Sequence, residues 1–287
     1  MQIVLTCLVL FIIGYGGATW YLWAKQRKLI FLPSRDVHQS PADFGLRYEE
    51  VWVPVGGGPA TSLHGWWLQS DDAAPPAFLY LHGNDFNLGS NVERIARLNR
   101  MGFAVLAVDY RGYGQSGGGF PSELQVYEDA EAAWNYLVQE RHIDPRRAFI
   151  YGHSLGGAIA IELALRHPEA AGLVVECAFT SMPELAKVLF WMFPVHWLLN
   201  QRFDALAKVP KLRVPALFIH GTADREIPHA MSERLFHAAG APKWLTLIPG
   251  GGHEDSATIG EGIYTRAVLD FTQGIQRDRN ALPTALS

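Results

Sequence analysis

Gly152-His153-Ser154-Leu155-Gly156-Gly157 is the stretch on which the fold turns. Before it, Arg147-Ala148-Phe149-Ile150-Tyr151 is apolar and strand-like; after it, residues 158–166 read as a helix. A serine with a glycine two residues away on either side, at a strand-to-helix junction, is a G-x-S-x-G elbow. So sharp a turn strains the serine backbone, and a side chain at either glycine collides with the adjoining strand or helix. Ser154 is therefore expected at a strand tip with its hydroxyl open to solvent.

A serine hydroxyl is a weak nucleophile until a base takes its proton, so the elbow needs partners. The chain order serine, acid, histidine, on loops after later strands, supplies them. Pro215-Ala216-Leu217-Phe218-Ile219-His220-Gly221 reads as a buried strand leading into Thr222-Ala223-Asp224-Arg225-Glu226, which makes Asp224 the natural acid. A helical stretch over about 228–239 follows, then the strand Lys243-Trp244-Leu245-Thr246-Leu247-Ile248-Pro249, ending in Gly250-Gly251-Gly252-His253. Beside three glycines, His253 has room to approach Ser154 and Asp224 and is the natural base. Glu176, after the strand containing Leu173-Val174-Val175, competes with Asp224 for the acid's role.

Further segments stand around this core: Lys28-Leu29-Ile30-Phe31-Leu32-Pro33-Ser34-Arg35, Tyr80-Leu81-His82-Gly83-Asn84, Asp109-Tyr110-Arg111-Gly112-Tyr113-Gly114-Gln115-Ser116 and Phe179-Thr180-Ser181. With the elbow, His220-Gly221-Thr222-Ala223-Asp224 and Gly252-His253, they make residues 46–276 resemble the α/β-hydrolase superfamily. More narrowly, the chain resembles the BEM46-like group of membrane-associated serine hydrolases. After His82-Gly83-Asn84 that group usually carries small residues, whereas here Asp85-Phe86 follows, a departure at the mouth of the site.

Acyl transfer places negative charge on the former carbonyl oxygen, and preorganised backbone N–H groups stabilise it. Leu155, at the positive end of the helix after the serine, is one expected donor. Asn84 is the expected second, with Asp85 as its rival; an inward Asp85 carboxylate would oppose the oxyanion, so it is expected to point outward. His82 and His220 end strands before a glycine and are read as loop organisers, His153 as packing, and His229 and His237 as surface residues. The loop beginning at Asp109 lacks the lysine and spacing of a phosphate loop and is read as structural, with Asp109 and Arg111 paired. His253-Glu254-Asp255 are adjacent and lack partner spacing, so no metal is expected, and a serine, acid and histidine mechanism implies no cofactor. Cys7 and Cys177 make no disulfide framework.

Residues 3–24 run without a charge and rise about 33 Å as a helix, enough for a bilayer core. Met1-Gln2 offers no basic start for a cleaved signal, and Trp20, Tyr21 and Trp23 suit an interfacial belt, so residues 1–24 are read as an uncleaved transmembrane anchor. Residues 25–45 are read as a linker. Lys25, Arg27, Lys28 and Arg35 place the remaining chain on the cytoplasmic face by the positive-inside rule. A net charge of −4 without a basic stripe argues against nucleic acid.

From residue 77 strands and helices alternate, the pattern of one α/β domain with a mostly parallel sheet flanked by helices, over 46–276. Residues 46–53 and 63–69 suggest an antiparallel edge pair joined at Gly56-Gly57-Gly58-Pro59; residues 277–287 are read as a tail. The insertion over about 179–212 is long and aromatic, and reads as a small helical cap with Phe190, Trp191, Phe193 and Trp197 over the substrate. The expected activity is a membrane-anchored serine hydrolase of ester or thioester bonds in lipids or acylated proteins. A serine peptidase and a non-catalytic scaffold of the same fold are the alternatives.

Overall fold

A run such as Ala77-Phe78-Leu79-Tyr80-Leu81 presents apolar side chains to both faces, so it belongs inside a sheet covered on both sides. The computed structural model, which describes residues 1–56, 61–72, 75–240 and 242–281, buries all five of these residues. The strands are β1 (Leu32–Pro33), β2 (Glu49–Pro54), β3 (Ser62–Leu68), β4 (Ala77–Leu81), β5 (Asp85–Phe86), β6 (Ala104–Val108), β7 (Ala148–His153), β8 (Gly172–Glu176), β9 (Ala216–Gly221) and β10 (Lys243–Ile248). Eight form one sheet in the order β10-β9-β8-β7-β4-β6-β3-β2. It is parallel from β10 to β6, and β3 and β2 complete it antiparallel at one edge. The turn expected at Gly56-Gly57-Gly58-Pro59 lies, from residue 57 on, outside the described residues.

The helices are α1 (Gln2–Ile30), α2 (Val92–Arg100), α3 (Glu123–Asn135), α4 (Leu155–Arg166), α5 (Met182–Leu189), α6 (Val195–Leu198), α7 (Ala205–Lys208), α8 (Ala230–Ala238), α9 (Ser256–Ile259) and α10 (Glu261–Ala281). One apolar cluster on one face of the sheet joins β4, β7 and α4, and a second on the other joins β4, β7 and α10. Helix α10 runs past residue 276 to Ala281, into the expected tail, and buries Phe271 and Ile275 in the second cluster.

Two expectations fail on local contacts. The apolar segment does not end its helix at residue 24: α1 continues to Ile30 because Gln26 and Ile30 are buried against the domain. The chain then pairs β1 with β5 in parallel, Leu32 with Asp85 and Pro33 with Phe86. Nor do Asp109 and Arg111 pair. Arg111 Nη2 lies 2.6 Å from Asp129 Oδ1 and 3.0 Å from Glu128 Oε2 on α3. Asp109 turns inward instead, accepting the Leu88 N–H at 2.9 Å and lying 3.4 Å from His82 Nε2. Burial pushes the Asp109 carboxyl up and the His82 imidazole down, disfavouring the charged form of each.

Candidate active site

Ser154 joins β7 to α4 with φ 55° and ψ −119°, a strained conformation for a residue with a side chain. Its flanking glycines are required by close approach: a Cβ on Gly152 would stand 2.1 Å from the Gly156 carbonyl oxygen, and one on Gly156 2.1 Å from that of Leu81. Any other residue at either position forces β4, β7 and α4 apart. The strain therefore persists because the sheet packing over-determines it, and it aims the hydroxyl away from the sheet.

The loops after β9 and β10 deliver the other two side chains. His253 Nε2 lies 3.0 Å from Ser154 Oγ, and His253 Nδ1 lies 2.7 Å from Asp224 Oδ2. All three are buried. Burial opposes the Asp224 charge, but hydrogen bonds from His220 and His253 hold the carboxyl well below its usual range. Burial also opposes a charged His253, yet the Asp224 bond and charge outweigh it and leave the imidazole above its ordinary value. The arrangement can take a proton from the hydroxyl and hold it on an imidazolium beside a fixed carboxylate.

Glu176 is directed elsewhere. Its carboxylate accepts Tyr151 OH at 2.5 Å and Ser256 Oγ at 2.9 Å, and stands 3.7 Å from Arg94 Nε. Arg94 in turn donates to the Glu254 carbonyl at 2.7 Å, so this buried network braces the residue that follows His253. His153 adds a second brace, its Nε2 lying 3.2 Å from the His253 carbonyl, and burial keeps that ring neutral. His220 bonds Asp224 Oδ2 at 3.0 Å and Ser232 Oγ at 2.7 Å. His229 is half-buried and His237 exposed, both on or beside α8. Arg94 was not a sequence candidate; a lone arginine in a helix carries no signal of the loop it reaches.

Among the described residues, two clusters bring ligand-type atoms within 4.8 Å of one another: His153, Cys177 and His253, and Cys177, His220 and Asp224. Neither fits a metal well. Both His253 ring nitrogens and the Asp224 oxygens are engaged, and burial with the nearby Glu176 charge pushes the Cys177 thiol well above its ordinary value.

Asn84 lines the same opening as Ser154 and Leu155. Tyr113 OH donates to its carbonyl at 2.7 Å, and its side-chain amide donates to the Ile30 carbonyl at 3.1 Å. Asp85 is exposed, on the rim of a cavity of about 230 Å³ that also reaches Ser154, His253 and Glu254. On the other side of Ser154 lies an apolar cavity of about 380 Å³. Of the four expected cap residues, only Phe190 lines it. Trp191 and Trp197 are 77% and 83% exposed, and Phe193 stacks on Tyr15 with ring centroids 5.3 Å apart. The turn after α5 sends these rings outward, and the walls come instead from Met182, Leu185 and Leu199, and from Leu22, Gln26 and Leu29 of α1. That last group lies in the segments expected from sequence to be anchor and linker.

Residues 74–207 match the family described as serine aminopeptidase, S33. An uncharacterised protein of Mycobacterium tuberculosis is 33% identical over 257 residues, covering 89% of this chain and 90% of that protein. Protein bem46 of Schizosaccharomyces pombe is 28% identical over 271 residues, with 88% of each chain covered. The Pyrococcus furiosus esterase Pf2001 has the same fold, with a TM-score of 0.69 at 20% identity over 85% of this chain and 98% of the esterase. With this sheet order, the strained serine at the β7–α4 turn and these relatives, the chain belongs to the α/β-hydrolase superfamily, in its BEM46-like group.

Proposed function

We propose that this chain is a membrane-anchored serine hydrolase that cleaves carboxylic ester or thioester bonds of acyl or lipid-like substrates. The observation that carries this reading is the unbroken line from Ser154 Oγ through His253 to Asp224, 3.0 and 2.7 Å, at the mouth of an apolar cavity. Ser154 attacks the acyl carbonyl as His253 Nε2 takes its proton; Asp224 fixes the tautomer and stabilises the imidazolium. The N–H groups of Leu155 and Asn84 bind the oxyanion. His253 then protonates the leaving alcohol or thiol, and water repeats the sequence on the acyl-enzyme to release the acid.

Helix α1 is long and apolar enough to cross a membrane, and its most apolar window is unburied by the rest of the chain. That exposure separates it from a core helix, and its contacts with the domain argue for retention after synthesis. The four basic residues after the anchor favour a cytoplasmic domain, although Arg27 and Arg35 also bind loop carbonyls at Pro121 and Gly114. The family description favours one second reading, a peptidase, since the same triad cleaves amides. Purified full-length protein in phosphatidylcholine nanodiscs, offered acyl esters, acyl thioesters and aminoacyl peptides, tests the choice. Turnover of the first two, lost in Ser154→Ala, is expected; turnover of peptides alone would overturn the ester reading.

A further inference from the structure

The apolar helix is part of the wall of the cavity beside Ser154. Leu22, Gln26 and Leu29 stand on one side of the space beside Ser154; Leu185, Phe190 and Leu199 of the cap stand on the other. The seam between them is held at both ends. At the inner end the Gln26 side chain is buried and accepts the Asn200 N–H at 2.8 Å. At the outer end Tyr15 OH donates to the Met192 carbonyl at 2.8 Å, and the Tyr15 and Phe193 rings stack.

Those outer contacts set a depth. Residues 3–14, the part of the apolar run beyond Tyr15, rise about 18 Å as a helix, well short of a hydrocarbon core of about 30 Å. A helix that spans the bilayer must therefore carry Tyr15, and the cap residues bound to it, below the membrane surface. The cap is built for that position. Residues 188–199 carry no charged side chain other than His196, and Val188, Trp191, Met192 and Trp197 are 56%, 77%, 59% and 83% exposed. In water this is a costly surface for so small a lobe; in the acyl region of a leaflet it is a matched one.

We infer that the seam between α1 and the cap is a lateral entrance through which the long acyl chain of a membrane lipid passes directly from the bilayer into the cavity beside Ser154. Helix α1 then acts as one wall of the acyl-binding site as well as an anchor. Chain length is read between Leu22 and Leu185, and the polar head group stays on the Asp85 side of Ser154. The inference rests on Ser154 being the nucleophile, and the test separates the two failures.

The full-length protein is reconstituted in phosphatidylcholine vesicles and given p-nitrophenyl butyrate and p-nitrophenyl palmitate, with Leu22→Trp and Leu22→Ala variants alongside the unaltered chain. Leu22→Trp is expected to lower the palmitate-to-butyrate ratio of kcat/KM at least tenfold, and Leu22→Ala to leave that ratio equal or higher. Palmitate turnover is expected to follow the mole fraction of ester in the bilayer, falling about tenfold when the same ester is diluted into tenfold more vesicle lipid. A ratio that neither variant moves, or a palmitate rate set by bulk concentration alone, overturns lateral entry while leaving the hydrolase reading intact. An unaltered chain that hydrolyses neither ester overturns the hydrolase reading itself. Quenching by chain-brominated lipid gives an independent arm. It should fall when Trp191 and Trp197 are both replaced by phenylalanine, and an unchanged signal places the cap outside the leaflet and overturns its immersion.

Discussion

The floor and the roof of the cavity beside Ser154 are made by different physics. The floor is sheet-borne: the elbow closes to backbone contact at Gly152 and Gly156, and Asp224 and His253 descend on short loops braced by His220, His153 and Arg94. Each group there has a directional partner at hydrogen-bond distance, so a displacement of an ångström breaks a named bond. The roof, from α1 and the cap, is a seam of apolar side chains joined by few polar contacts, notably at Gln26 and Tyr15. Such a contact is non-directional and adapts to what lies in it. On the proposed function, chemistry belongs to the first region and substrate choice to the second.

Breaking the floor should have the largest effects. Ser154→Ala is expected to cut ester turnover by about 10⁵-fold or more, measured as kcat. Asp224→Asn should cost about 10⁴-fold, because the amide imposes the wrong tautomer on His253. Glu176→Gln sharpens the contrast with Asp224. It should cost less than about tenfold in kcat, and instead lower the melting temperature by roughly 5 °C, because a buried charge beside Arg94 is lost. A reversal of those two results would move the acid from Asp224 to Glu176.

The pH profile probes the same region more gently. His253 must be neutral to accept the Ser154 proton, so activity rises with pH through the His253 pKa. The Asp224 bond and charge outweigh burial and hold that pKa above 6.5, which puts the ascending limb of kcat/KM above that value. In Asp224→Asn the residual activity should show its limb at lower pH, since burial then acts on the imidazole without a carboxylate to oppose it. A limb that does not move indicates that another group titrates.

Where floor meets roof the effects should be smaller. Tyr113→Phe removes the donor to the Asn84 carbonyl and loosens one side of the proposed oxyanion site, with an expected loss of about tenfold in kcat. Asp85→Asn, on the solvent-exposed rim, is expected to change turnover by less than about threefold, because water screens the carboxylate. A large gain in turnover on that change would mean that Asp85 faces the oxyanion.

The same division explains what the sequence discloses. The floor is legible because tight backbone approach admits only glycine and because serine, acid and histidine follow in a fixed order on strand-end loops. Even the sheet edge can be read, from the alternation that buries Val51 and Val53 and exposes Trp52 in β2. The roof is much less so. Which cap rings turn inward depends on how two short helices, α5 and α6, are broken by the turn at Phe193 and Pro194, and no period extends across that break. Gln26 stands in a basic segment that reads as a linker, and its burial depends on an amide 174 residues away. Arg111 and Asp109 show the same limit within the domain, since neighbours in sequence choose partners on different elements.

The central claim is that Ser154, His253 and Asp224 act as one triad, His253 carrying the serine proton and Asp224 holding the imidazole, and covalent labelling tests it most directly. The full-length protein and its Ser154→Ala and His253→Ala variants are treated with a fluorophosphonate probe, and the adduct is located by peptide mass spectrometry. The account predicts one adduct, on Ser154, formed at least a hundredfold more slowly in His253→Ala and absent from Ser154→Ala. No adduct on the unaltered protein, or an adduct on Ser154 at a rate indifferent to His253, would contradict it.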